Sequence, residues 1–155
     1  MKRQKEIPGA IVKVPFDGEY HTYARVLNYG DLAFYDCKTK EDIGNLKDVT
    51  SKPILFKCIV NINGVQRGKY PIIGEVPLED TLKDSKYYLA PPVGSNQYRI
   101  SANGGIRNAS REECVGLEPG IIWDPVHIDV RLTDHYAGRE NQMLKTMDTL
   151  GNYRL

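Results

Sequence analysis

The sequence predicts an α+β protein in which a strongly bent antiparallel sheet, or a partly open small barrel, carries two short C-terminal helices. Three observations lead to this fold class. Apolar residues alternate with other residues near the N-terminus, turn-forming residues separate successive apolar runs, and helical periodicity is clear only near the C-terminus. The 155 residues are enough for a substantial core, so we take 1–155 as a single domain.

The N-terminal part of the chain is predicted to form a meander of three antiparallel strands. Its strands and turns follow one another as strand 10–16, turn 17–19, strand 20–27, turn 28–31 and strand 32–36. In the first strand small and apolar residues take every second position, so Ile11, Lys13 and Pro15 are expected to face away from the core. Gly18 supplies the positive φ that a tight hairpin needs.

A fourth and a fifth strand are predicted to follow as a hairpin. Residues 54–62 are rich in apolar and β-branched side chains, which is typical of a strand buried on at least one face. Asn63-Gly64 is the strongest short hairpin signal in the chain and is expected to return it along 65–74. Pro71 is expected at a sheet edge or at the start of a strand, because proline has no backbone donor.

Two stretches have weaker patterns. The polar residues 38–52 predict a short helix or an ordered loop that starts near Thr39. Residues 76–111 are interrupted by many prolines and glycines, with candidate short strands at 87–89 and 98–100. Because loops on a rigid scaffold often carry contact residues, this second stretch is one candidate for partner recognition.

Two helices are predicted near the C-terminus. Asp124 lies where an N-cap belongs, and Pro125 at the first helical position wastes no backbone donor. The apolar stripe of this helix consists of Ile128, Leu132 and Tyr136. Gly138 ends it, and a second helix is expected between Arg139 and Gly151. The apolar side of the second helix consists of Met143, Leu144, Met147 and Leu150.

Charge and hydropathy narrow the function classes. The 21 basic and 20 acidic residues give a net charge of +1, and each half of the chain is balanced, so duplex nucleic acid is not the expected partner, and charge leaves the partner otherwise open. The longest apolar runs are too short to cross a bilayer, and the basic N-terminus lacks the apolar stretch of a signal peptide. Three widely spaced cysteines fit free thiols in a reducing compartment. We therefore expect a cytoplasmic protein without a membrane partner.

No motif in the chain predicts a reaction. Residues 64–70 have the wrong spacing for a phosphate-binding loop and lack the Ser or Thr after the lysine. His127 and His135 are eight residues apart on one predicted helix, about 12 Å, which is too far to share a metal ion. Cys114 with His127 and Asp129 would make a nucleophilic site, but the last two face different directions on the helix. We expect no enzyme activity, no cofactor and no metal.

Several short motifs follow one another in an order seen in a known family. They are PGAIVKVP (8–15), YARVL (23–27), AFYD (33–36), ILF (54–56), YPIIGEVPL (70–78), GLE (116–118), Trp123 and RLTDHYAGREN (131–141). In this order the chain resembles immunity protein family 26 of bacterial polymorphic-toxin systems, from residue 8 to about 145 with its main gap at 79–112. Tyr70 stands where that family often has Trp, and Gln142-Met143 replaces another aromatic position.

The resemblance implies an α+β protein that binds a cognate toxin effector domain and keeps the producing cell alive, with no cofactor and no reaction. It leaves the activity of the toxin open, a nuclease being one candidate. Polar residues inside the matching motifs are the candidate partner contacts: Arg25, Asp36, Glu118, Arg131, Asp134 and His135. A buried ion pair at Arg131 or Asp134 would instead serve the fold.

Two alternatives belong to other functional classes. The ten tyrosines would allow a small β-barrel to stack the bases of single-stranded nucleic acid, with an affinity that falls steeply as salt rises. A hydrolase would use Cys114 or His127, and an alanine at either position would abolish turnover.

Overall fold

Two sheets and three helices make up the fold of the computed structural model, which describes residues 2–153. The strands are β1 (Ala10–Phe16), β2 (Tyr20–Val26), β3 (Asp31–Tyr35), β4 (Ile54–Val60), β5 (Ile72–Glu75), β6 (Lys86–Leu89), β7 (Tyr98–Ala102), β8 (Gly105–Ala109), β9 (Glu118–Pro119) and β10 (Ile122–Trp123). The helices are α1 (Leu46–Thr50), α2 (Pro125–Tyr136) and α3 (Gln142–Met147).

The first sheet has the strand order β10-β4-β3-β2-β1-β5, and the second has the order β8-β7-β6-β9. Neighbouring strands are antiparallel except where β10 meets β4 and where β9 meets β6. The sheets do not close into a barrel. The α+β class is therefore confirmed, with the bent sheet rather than the barrel.

The predicted meander is present as β1 to β3. β2 pairs antiparallel with both of its neighbours, and the first hairpin closes at the pair Phe16↔Tyr20. Asp17 and Gly18 in this turn have φ of 50° and 76°, the left-handed backbone of a tight hairpin. The inner face of the sheet packs against α2 and α3 in the main core, whose members include Val12, Val14, Phe16, Phe34, Trp123, Ile128, Leu132 and Leu144.

The opposite face of β1 is also buried at its start, so the expectation that Ile11 lies away from the core is wrong. Ile11 is fully buried and packs with Tyr35 and with Val49 of α1. The short helix folds back over this face of the sheet and creates a second apolar cluster. Farther along the same strand, Lys13 is partly exposed and Pro15 is exposed.

α1 begins later than predicted. The side chain of Asn45 caps it by accepting a hydrogen bond of 2.9 Å from the Lys47 N–H. Thr39 instead closes a local turn, because its hydroxyl oxygen accepts from the Glu41 N–H at 3.0 Å. The backbone of Thr39 also bridges to β2, which holds this part of the chain extended.

The prediction of a hairpin at Asn63-Gly64 is wrong. The chain leaves β4 through a series of turns, and β5 pairs with β1 at the far side of the sheet. The side-chain amides of Asn61 and Asn63 donate to Oδ2 of Asp124 at 2.9 and 2.7 Å, which draws this segment toward the start of α2. β5 follows Pro71 and is an edge strand, as predicted.

The stretch 76–111, predicted as irregular, contains three strands of the second sheet. The candidate strands at 87–89 and 98–100 lie within β6 and β7. β8 is an addition, and it forms a hairpin with β7 through Asn103-Gly104, whose φ angles are 51° and 77°. Its first four residues are exposed, so β8 has no apolar face that would reveal it.

Both C-terminal helices are present as predicted, but the second, α3, is shorter than expected. Asp124 caps α2, and Gly138 beyond its end has φ 70°. α3 begins only after its cap Asn141 and has fewer than two turns, so Leu144 is buried while Met147 is 43% exposed. Met147 is therefore not part of an apolar side. None of the described helices is both long and apolar enough to cross a membrane.

Candidate functional site

A cleft separates the two sheets where β4 faces β6 and β9. It consists of two adjoining cavities that share Ser85 and Tyr87, and we call them together the inter-sheet cleft. The larger cavity has a volume of about 450 Å³ and is lined by residues 55–57, 84–87 and 116–118. The smaller cavity has a volume of about 180 Å³ and is lined by Tyr29, Asp31, Ile59, Ser85, Tyr87, residues 101–104 and Ile106.

The larger cavity exists because β4 is covered on its outer side at one end only. β10 runs parallel to β4 and pairs with Ile59 and Val60, whereas Glu118 and Pro119, which precede it, form β9 beside β6. Residues 54–57 have no strand on that side within the described chain and are half-exposed. An uncovered strand edge presents backbone N–H and C=O groups to a partner.

Glu118, which lines the larger cavity, belongs to a buried ion pair. The guanidinium of Arg131 donates to both carboxylate oxygens of Glu118, at 2.7 and 2.8 Å. Its carbon lies 3.6 Å from the ring centre of Phe56 and 4.9 Å from that of Trp123. The two charged side chains are 8% and 19% exposed, so this pair ties α2 to the second sheet from within the protein.

The smaller cavity contains a second buried carboxylate. Asp31 is 2% exposed, and its Oδ2 accepts a hydrogen bond of 2.6 Å from the Tyr87 hydroxyl. Among the described residues, the one donor to its Oδ1 is the Tyr29 N–H, at 3.4 Å. Burial and the neighbouring Asp31 carboxylate raise the pKa of Tyr87, so this phenol remains a hydrogen-bond donor.

Arg25, a candidate contact, is fully buried in the structure. One of its terminal nitrogens donates to the carbonyl oxygens of Val76 and Pro77 at 2.7 and 2.9 Å, and the other pairs with Glu79 at 3.1 Å. Arg25 therefore holds the segment after β5 against β2.

The remaining candidates lie around the end of α2. Asp36 is exposed and accepts a hydrogen bond of 2.7 Å from the Tyr136 hydroxyl. Asp134 accepts one of 3.1 Å from the side chain of Asn141, which links the ends of two helices. His135 is exposed in the last turn of α2, and its ring meets the Tyr136 ring edge-on at 4.9 Å.

The structure therefore does not gather the six candidates into one site. Glu118 lines the inter-sheet cleft and pairs with Arg131, whereas Asp36 and His135 approach each other through Tyr136. Asp31 and Tyr87 are not among the site residues predicted from the sequence. A signal for the first exists, because Asp31 is a charged residue directly before the apolar run of β3, but its partner lies 56 residues away.

The thiol considered for catalysis lies in an apolar environment. Cys114 is fully buried in a cluster with Tyr88 and Ile100, and burial raises the pKa of its thiol. His127 is exposed in the first turn of α2. Within residues 2–153 no three His, Cys, Asp or Glu side chains are grouped so as to hold a metal ion.

Comparison with known proteins gives one clear relationship. No curated protein and no solved structure matches the chain. The family model described as Immunity protein 26 matches residues 7–97, which is more than half of the chain. This range includes the N-terminal motifs of the resemblance and the strands β1 to β6. The chain belongs to the Immunity protein 26 family.

Proposed function

We propose that this protein is an immunity protein that binds a cognate bacterial toxin domain and neutralises it without catalysis, in the cytoplasm of the producing cell. The observation that carries the proposal is membership of the Immunity protein 26 family. An inhibitor of this kind acts by binding, so one surface of the protein must be suited to a protein partner.

The inter-sheet cleft has the features of such a surface. It combines an uncovered strand edge at 54–57 with two exposed apolar side chains, Tyr29 at 54% and Ile106 at 62% exposure. A standard interface buries about 800 Å² on each partner, which is about a tenth of the 8586 Å² surface of this chain. Affinity in such interfaces comes mainly from a few anchors seated in pockets.

The candidate contact residues divide into two groups in this proposal. Arg25 and Arg131 have buried guanidinium groups, and Glu118 and Asp134 are bonded within the fold, so we propose that these four shape the surface. Asp36 and His135 are exposed, and we propose them as contacts at a second surface beside the end of α2.

A nuclease is one toxin class that suits this proposal. Nucleic-acid-binding enzymes carry basic surfaces that contact phosphates, and a carboxylate of an inhibitor is complementary to such a surface. The net charge of +1 does not favour this class over others.

Binding of single-stranded nucleic acid, the alternative, would need exposed tyrosine rings, and most of these rings are buried or half-buried. Of the ten tyrosines, all within the described residues, five are buried, four are half-buried and only Tyr29 is exposed. Several stacked bases need several exposed rings along a groove. The burial of the rings therefore favours toxin binding over the stacking of bases.

Coexpression with the toxin domain encoded by the neighbouring gene tests the proposal. The toxin is placed under an inducible promoter, and survival is measured across inducer doses with the protein present or absent. We expect survival at doses that kill cells lacking the protein, and a stable complex of the two purified chains. Equal killing with and without the protein, at verified expression, would contradict the proposal.

A further inference from the structure

Asp31 differs from the other buried carboxylates of this protein. Glu118 has its own cation, because Arg131 pairs with both of its oxygens. Asp148 pairs with no cation of residues 2–153, but its two oxygens accept from the Tyr88 hydroxyl and the Tyr153 N–H. Asp31 has one strong hydrogen bond and no ion pair within the described residues, and its Oδ1 has only the contact of 3.4 Å.

The cavity beside Asp31 leaves room for an incoming group that could bind its carboxylate. The described residues that line this space of about 180 Å³ include no Lys, Arg or His. Ser85 and Ser101 add hydroxyl groups to its wall, and the half-exposed ring of Tyr29 stands at its rim. A buried carboxylate gains much more from a partner with a positive charge than from a neutral donor.

The rim of this cavity is held in place by the β7–β8 turn. A Cβ atom at Gly104 would lie 3.0 Å from the Tyr29 ring, so the ring packs directly on the backbone of this glycine. The φ of 77° at the same residue also favours glycine. The aromatic wall is therefore positioned before any partner arrives, which reduces the entropy lost on binding.

We propose that this cavity, the Asp31 pocket, receives an arginine side chain of the toxin and pairs its guanidinium with the Asp31 carboxylate. The inference rests on the proposed function and names the recognition chemistry at the inter-sheet cleft. A planar guanidinium has five donors for Oδ1 and the serine hydroxyls, and it stacks on aromatic faces such as Tyr29. An ammonium group is more strongly hydrated and lacks this planar fit, so lysine is a poorer occupant.

The first test uses a small probe and no toxin. N-acetyl-L-arginine methylamide is titrated into the ¹⁵N-labelled protein, with the lysine and the neutral citrulline analogues as comparisons. We expect saturable, millimolar-range shifts of the amides of Tyr29, Asp31 and 101–104 with arginine, and clearly smaller shifts with lysine and citrulline. The same titration of Asp31→Asn should lose the response. Equal responses to arginine and citrulline, or no saturable response, would overturn the proposal.

The second test measures the toxin complex. Asp31→Asn keeps an oxygen that accepts from Tyr87 but removes the charge, so the thermal midpoint should stay unchanged. Asp48→Asn removes an equal charge from the exposed side of α1 and is the matched control. We expect Asp31→Asn to weaken toxin binding by at least about 10-fold relative to that control, as truncation of a buried charge pair does.

The two proposals fail in different ways. If both variants bind the toxin equally well, the Asp31 pocket is refuted while the immunity function stands. If the unmodified protein neither binds nor neutralises the toxin, the proposed function fails. The arginine titration then still decides whether the pocket accepts a guanidinium.

Discussion

Removal of Arg131 is expected to destabilise the protein strongly. Arg131→Ala deletes the cation that compensates Glu118, and it also deletes the guanidinium that packs on Phe56. Breaking a buried pair by removing one partner costs about 3–5 kcal/mol. Because the Glu118 side chain remains 19% exposed, some hydration is regained, and we expect about 3 kcal/mol, at the lower end.

Urea unfolding, followed by far-ultraviolet circular dichroism, measures this loss of stability. In thermal unfolding of a chain of this length, 3 kcal/mol corresponds to a fall of about 6–12 °C in the midpoint. The double variant Arg131→Met with Glu118→Leu replaces both charges by apolar groups and should lie within about 1 kcal/mol of the original protein. A single variant that loses less than about 1 kcal/mol would refute charge compensation at this site. A double variant as unstable as the single one would assign the loss to packing on Phe56.

Three further predictions concern the fold. Gly9→Ala should destabilise more than Gly18→Ala, although both have positive φ, because only at Gly9 would a Cβ meet a carbonyl oxygen, that of Val76, at 2.6 Å; similar urea midpoints would contradict this. Hydrogen bonds to two asparagine amides and to the helix backbone lower the pKa of Asp124 to about 2. Its contribution, about 1 kcal/mol for a helix cap, is present above its unfolded pKa of about 3.9 and is lost as the pH falls through about 2. The stability difference between the protein and Asp124→Ala should therefore shrink below pH 4, and a constant difference would be a refutation. The three cysteines are buried with raised thiol pKa values, so dithionitrobenzoate should label none of them in the folded state and all three in urea.

Local patterns predicted the elements whose signals lie within a few residues. β1 begins and ends where the alternation does, and Gly18 makes the turn that its position indicates. The cap at Asp124 and the end at Gly138 bound α2 as predicted. In each case the contacts that determine the element are formed between residues close in the chain, so a local sequence pattern is enough to predict it.

Long-range contacts determine the structure at the positions where the sequence-based predictions are wrong. Asn63-Gly64 is a strong hairpin signal, but Asp124 competes for the asparagine amides from 61 residues away and the turns form against α2 instead. Ile11 lies on the face that alternation assigns to solvent, and it is buried because α1 covers that face. Periodicity describes which residues share a face but does not reveal what covers it.

The inter-sheet cleft follows from the same competition between neighbouring elements. β10 lies parallel to β4, with Ile122 opposite Ile59 and Trp123 opposite Val60, so residues 117–120 would have to precede it as strand in order to cover 54–57. They do not, because Glu118 and Pro119 form β9 beside β6, and Glu118 pairs there with Arg131. The pairing of β9 with the second sheet thus leaves the edge open, and a partner strand is the group best able to satisfy it. We therefore expect hydrogen exchange at the amides of 54–57 to slow when the toxin binds at the cleft, and exchange unchanged there would place the toxin on another surface.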